Sequence, residues 1–256
     1  MNENRTLHDA ARLALACLDL TSLNGADTAA DIEALCRRAQ TPHGPVAAVC
    51  VWPRFVAQAR AALPAGIRVA AIANFPQGEA DLTRAVADIE LIALAGGDEI
   101  DVVLPYRALM AGRRDEVAEF LSEVREASRA LVLKVIIESG ELKRAELVAE
   151  ATRMALAAGA DFVKTSTGKT PVSATPQSAA VMLQTLSESG MRHAGFKASG
   201  GIRTVADAQV YLQLAEAWLG APALNPRRLR FGASSLLNDI EAVLGGGAGS
   251  VDSGSY

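Results

Sequence analysis

Short apolar runs recur along this chain about 30 residues apart, each followed by a longer amphipathic stretch. No other feature restricts the fold as much. The runs cover 13–21, 47–52, 68–74, 99–104, 131–138, 162–166, 195–199 and 230–233. Apolar periodicity between them predicts helices over 81–95, 114–129, 143–158, 175–189 and 204–219, with another over 236–244 after the last run. Asp27, Asp81, Thr175 and Thr204 stand where helix N-caps are expected, and Gly96, Gly159, Gly190 and Gly220 where helices close. Unbroken βα alternation calls for a parallel sheet with helices outside it. Eight units suit closure into a (β/α)8 TIM barrel, a fold of about 250 residues, and the chain has 256. The rival is an open doubly wound sheet, which more often has a glycine-rich turn after its first strand, and no GxGxxG occurs here. The reading is one barrel domain over 1–244. An extra helix over 1–11 precedes it, and a flexible Gly/Ser-rich tail over 245–256 follows it.

Strands of a parallel barrel are covered on both faces and normally read as unbroken apolar runs. Five runs break that rule with a charge inside the run: Asp19, Asp101, Lys134, Lys164 and Lys197. Each charge sits among the apolar residues of its run. Side chains alternate along a strand, so the neighbours can face the helices while the charge points into the barrel. One such residue reads as a paired structural ion. Five together predict a compensated polar cluster at the C-terminal ends of the strands, where barrel active sites lie.

Lysine is the unusual resource in that set. A neutral amine attacks a carbonyl to give an iminium, which serves as an electron sink. An ordinary lysine is only about 0.04% neutral at pH 7, and bringing its pKa near 7 takes roughly 4 kcal/mol. Lys164 and Lys197 lie on consecutive strands. Two ammonium groups about 5 Å apart repel by roughly 3 kcal/mol at an effective dielectric of 20. Desolvation acts in the same direction. Asp101 is the candidate to move protons.

Three loops on adjacent strands suit an anion. They are Ser166-Thr167-Gly168-Lys169, Ser199-Gly200-Gly201-Ile202 and Gly232-Ala233-Ser234-Ser235. Glycines admit backbone amides to a phosphate, and Ser234 or Ser235 can cap the helix that follows. Plain turn chemistry explains any one loop, but three together favour a phosphorylated substrate.

Composition narrows the partners. The net charge is −4 with no basic tract, which argues against nucleic acid. No apolar run reaches the length of a membrane span, and the polar start of the chain has no signal-peptide core. Cys17, Cys36 and Cys50 lack metal-ligand spacing and read as reduced thiols of a cytoplasmic protein. His8, His43 and His193 share no motif, so neither a zinc site nor a His-based triad is expected. No cofactor is called for. A surface helix is compatible with a homodimer, although no motif specifies one.

At these residues the sequence resembles the deoxyribose-phosphate aldolase family, from about Leu13 to Leu244. The matching motifs are LDLTSLN (18–24), AAVCVWPRF (47–55), NFPQG (74–78), EIDVVLP (99–105), LKVIIESGEL (133–142), FVKTSTGK (162–169), GFKASGGIRT (195–204) and RFGASSLL (230–237). One departure is Gln77, where some members have His. The resemblance implies Lys164 as the Schiff-base lysine, Lys197 as the lysine that depresses its pKa, and Asp101 as general acid/base. Lys134 and Asp19 would complete the polar network. Lys169, Gly200, Gly201, Ser234 and Ser235 would surround a phosphate, and Thr167 would contact substrate hydroxyls. It further implies reversible cleavage of 2-deoxy-D-ribose 5-phosphate to D-glyceraldehyde 3-phosphate and acetaldehyde. Some family members end in a tyrosine that folds over the site, which makes Tyr256 a candidate for proton relay. The alternatives are another Schiff-base sugar-phosphate aldolase and a non-catalytic sugar-phosphate-binding barrel.

Overall fold

The computed structural model describes residues 5–246. Eight parallel strands close on themselves. They are β1 (Leu18–Thr21), β2 (Ala48–Val51), β3 (Arg68–Ala73), β4 (Glu99–Val103), β5 (Val132–Ile136), β6 (Phe162–Lys164), β7 (Gly195–Ser199) and β8 (Leu229–Ala233). Each strand pairs with the next in sequence. β1 also pairs with β8, Leu18 opposite Phe231 and Asp19 opposite Gly232. That last ladder is what an open sheet lacks, so the barrel reading holds. A small hairpin, Gln40–Thr41 against Gly44–Pro45, stands apart from the barrel.

Eleven α-helices are described: α1 (Leu7–Ala16), α2 (Ala29–Arg38), α3 (Val56–Ala62), α4 (Leu82–Leu94), α5 (Tyr106–Met110), α6 (Arg114–Ala127), α7 (Ser139–Leu142), α8 (Ala145–Ala157), α9 (Pro176–Glu188), α10 (Val205–Leu219) and α11 (Leu236–Leu244). None is long and apolar enough to cross a membrane. Strand residues flanking the inward charges, such as Ile100, Val102, Val163 and Phe196, are fully buried in the hydrophobic core. Alternation along each strand thus separates a greasy outer layer from a charged interior.

Three local expectations need correction. The run 13–21 is not one strand. Ala10, Ala11, Ala14 and Leu15 form the buried stripe of α1, which is capped by Thr6 and ends at Ala16, so β1 begins only at Leu18. A helix end and a strand start abut there with no polar residue between them. The extra N-terminal helix accordingly lies later than 1–11. Asp27 does not cap α2. Thr28 does, in a reciprocal box with Asp31, while Asp27 accepts hydrogen bonds from Ser22 Oγ (2.8 Å) and Asn24 N (3.0 Å). Ser235 occupies the N-cap position of α11, but its side chain makes no capping bond. Most of the tail, including Tyr256, lies outside the described residues.

Candidate active site

Strand register brings the five inward charges together. Asp101 on β4 stands opposite Lys134 on β5, and Lys164 on β6 opposite Lys197 on β7. Asp101 is the hub. Its Oδ1 accepts from Lys134 Nζ at 2.8 Å, and its Oδ2 accepts from both Lys164 Nζ and Lys197 Nζ at 2.7 Å. Asp19 on β1 takes a second bond from Lys197 at 2.5 Å and lies 3.6 Å from Lys134. All five residues are buried.

Two further charges complete the set. Glu99 pairs with Lys134 at 2.7 Å. Arg230 spans Asp19 at 2.5 Å and Glu99 at 2.8 Å. Sequence reading missed both, although each lay inside a motif. The available signal was period two: Glu99 is two residues before Asp101 and so shares its face.

Four cations (Lys134, Lys164, Lys197, Arg230) therefore meet three carboxylates (Asp19, Glu99, Asp101), leaving one excess positive charge when all are ionised. Loss of one proton neutralises the interior, and the surroundings select which group loses it. Burial lowers the pKa of Lys164, and Lys197 adds repulsion. Asp101 opposes them without reversing the shift. Burial also pulls at Lys197, but Asp101 and Asp19 overcome it and raise its pKa. Lys134 is raised likewise, by Asp101, Glu99 and Asp19 against burial. For Asp101, three lysines outweigh burial and hold the carboxyl well below its usual range. Burial, more than the lysine pair stressed by the sequence reading, is thus the larger influence on Lys164.

The rim formed after the C-terminal ends of β6, β7 and β8 carries the anion loops. Thr167, Lys169, Gly200, Gly201, Ser234 and Ser235 all line one cavity of 240 Å³. Asn24 and Arg203 line it too and were not singled out from sequence. Gly200 sits in this wall with φ +87°, and a Cβ there would lie 2.5 Å from Ser173 Cβ. A larger cavity, 680 Å³, opens at the opposite mouth between Arg12, His43, His193 and Arg227. It meets the charged interior only through Glu99 and Arg230, and Lys164 lines neither cavity. Cys17, Cys36 and Cys50 are buried free thiols. Burial pushes Cys50 up to about 11, so it stays protonated beside the lysines.

A buried lysine with a lowered pKa, a carboxylate at its amine and a cavity walled by the loop that follows its own strand form a constellation for covalent carbonyl chemistry. The family model for DeoC/LacD family aldolases matches residues 13–242. The chain belongs to this aldolase family. The aldolase is 49% identical, over 93% of its own length and 93% of the relative's, to deoxyribose-phosphate aldolase of Agrobacterium fabrum. Among solved structures it resembles a Coccidioides immitis protein provisionally assigned as a deoxyribose-phosphate aldolase. That match has 28% identity and a TM-score of 0.78, covering 91% of this chain and 87% of the other. It also resembles the tetrameric deoxyribose phosphate aldolase of Aeropyrum pernix, at 25% identity and a TM-score of 0.72, covering 93% and 92% of the two chains.

Proposed function

We propose that the protein is a class I aldolase that reversibly cleaves 2-deoxy-D-ribose 5-phosphate through a Schiff base on Lys164. The single observation that carries the reading is that buried Lys164 has Asp101 as its one carboxylate partner, whereas Lys197 has two and Lys134 three, an arrangement that lowers the pKa of Lys164 and raises the other two. The neutral amine adds to the open-chain aldehyde and water leaves, giving an iminium. A base takes the proton from the hydroxyl on carbon 3, the bond between carbons 2 and 3 breaks, and its electron pair flows into the iminium. D-glyceraldehyde 3-phosphate departs. The enamine that remains is protonated on carbon 2, and water releases acetaldehyde and the free amine.

Asp101, ionised at neutral pH, serves as the base, directly or through a water molecule. Lys197 stays cationic and stabilises the ionised Asp101. Lys134 and Asp19 hold the network in place. Thr167 and Lys169 meet the sugar phosphate, with Gly200, Gly201, Ser234 and Ser235 around the phosphate itself. Tyr256 is the candidate relay to the enamine. Its deletion is expected to slow turnover without unfolding the protein, and unchanged turnover would end that assignment. The expected setting is the cytoplasm. Leu91 and Leu94 of α4, 50% and 88% exposed, provide a face for a second copy. A monomeric mass in sedimentation would remove that expectation.

Borohydride reduction in the presence of acetaldehyde tests the mechanism. The expected product is one reduced adduct, mapped by mass spectrometry to Lys164. An adduct on Lys197 or Lys134, or none at all, overturns the assignment.

A further inference from the structure

Beyond β5 the chain turns sharply through Glu138, a non-glycine residue with φ 53° and ψ 57°. A left-handed backbone costs such a residue roughly 1–2 kcal/mol. The residue is fully buried. Its carboxylate accepts hydrogen bonds from donors of a single loop: Thr167 N at 3.2 Å, Thr167 Oγ1 at 2.6 Å and Thr170 Oγ1 at 3.3 Å. Thr167 Oγ1 in turn accepts from Lys169 N at 3.0 Å. One carboxylate therefore organises residues 167–170. Three of these, Thr167, Gly168 and Lys169, line the 240 Å³ cavity, whereas Glu138 does not.

The same turn presses on the loop at two further points. Ser139 N donates to Thr165 O at 2.9 Å. A Cβ on Gly140 would lie 2.0 Å from Val172 O, so no other residue fits there. From the opposite side, a Cβ on Gly200 would come within 3.2 Å of Gly168 Cα. The loop is thus held between the β5 turn and the glycine wall of the cavity, and Glu138 is its only charged anchor among the described residues.

We propose that Glu138 is a positioning residue: it latches the 167–170 loop in the conformation that grips the phosphate of the substrate. It touches no reacting atom and acts through Thr167 and Lys169. The inference rests on the phosphate-binding reading above.

Glu138→Gln keeps the shape but turns an acceptor oxygen into a donor that faces other donors. The variant is to be assayed with 2-deoxyribose 5-phosphate and with 2-deoxyribose, which lacks only the phosphate. The expected result is a loss of about ten-fold in kcat/KM for the phosphorylated substrate, carried by KM. The value for 2-deoxyribose, which keeps the hydroxyls that Thr167 meets but lacks the phosphate, falls much less, and the borohydride trapping of acetaldehyde at Lys164 stays unchanged. Equal losses on both substrates, or no loss, overturn the latch. Lys169→Met separates the two layers of the reading. If Lys169→Met discriminates between the substrates and Glu138→Gln does not, the latch alone fails. If Lys169→Met does not discriminate, the phosphate reading fails as well. Should Glu138→Gln not fold, Glu138→Asp keeps the charge but shortens the reach, and the same comparison is made with it.

Discussion

Lys164 differs from its two neighbours in company rather than in depth. Lys134 has three carboxylates within 3.6 Å and Lys197 has two, whereas Lys164 has Asp101 alone. Each carboxylate helps to hold a proton, so the least-attended lysine is the one released. The rate of Schiff-base formation is expected to rise with pH through the pKa of Lys164. Glu99→Gln removes a negative charge from the set and is expected to move that rise to lower pH. Lys197→Met removes a repelling ammonium and is expected to move it to higher pH. Shifts of the same sign in the pH–rate profiles would contradict the charge count. Lys164→Met is expected to abolish both turnover and trapping. The five central charges were legible in sequence because each interrupts an apolar run. Glu99 and Arg230 were not, since they sit at or next to strand starts, where a charge reads as an exposed end. Glu138 left no signal at all, because its role arises from a left-handed turn.

At the scale of elements, caps and loops divide the labour. Thr204 caps α10 in a reciprocal box with Asp207, just after the Gly200–Gly201 wall. Thr204→Ala is expected to cost about 1 kcal/mol in urea unfolding and to leave KM unchanged. Gly200→Ala combines a positive φ with a 2.5 Å clash against Ser173. It is expected to cost about 1–3 kcal/mol and to raise KM for the phosphorylated substrate, read by melting and steady-state kinetics. Seven strands and six helices agree with sequence periodicity to within a few residues, as at 195–199. The exception at α1 and β1 has a physical cause. Helix stripe and strand are both apolar, so periodicity alone supplies no boundary between them. The short helices α5 and α7 escaped because four or five residues carry too little period to detect.

For the whole molecule, the buried ions set the pH range of stability. Lysines and arginine depress the pKa values of Asp19 and Asp101, so their contribution is fully present above the unfolded value of about 3.9 and is lost as pH falls below it. Carboxylates raise Lys134 and Lys197, whose contribution is present below about pH 10.4 and is lost as pH rises through their folded values. The melting temperature is expected to fall beyond both limits and, because burial depresses Lys164 in the folded state, to rise with pH between the folded value of that lysine and about pH 10.4. A fall beginning near neutrality would show that other groups control stability.

The ladder between β1 and β8 has a consequence for biosynthesis. Asp19 and the guanidinium that neutralises it are separated by 211 residues of chain. Until the last strand leaves the ribosome, β1 and β7 each expose an unpaired edge, and Asp19 lacks its arginine. Such edges recruit other strands. Until β8 has been made the nascent chain is therefore an open sheet with two unpaired edges, and only the arrival of that strand lets it close into a barrel.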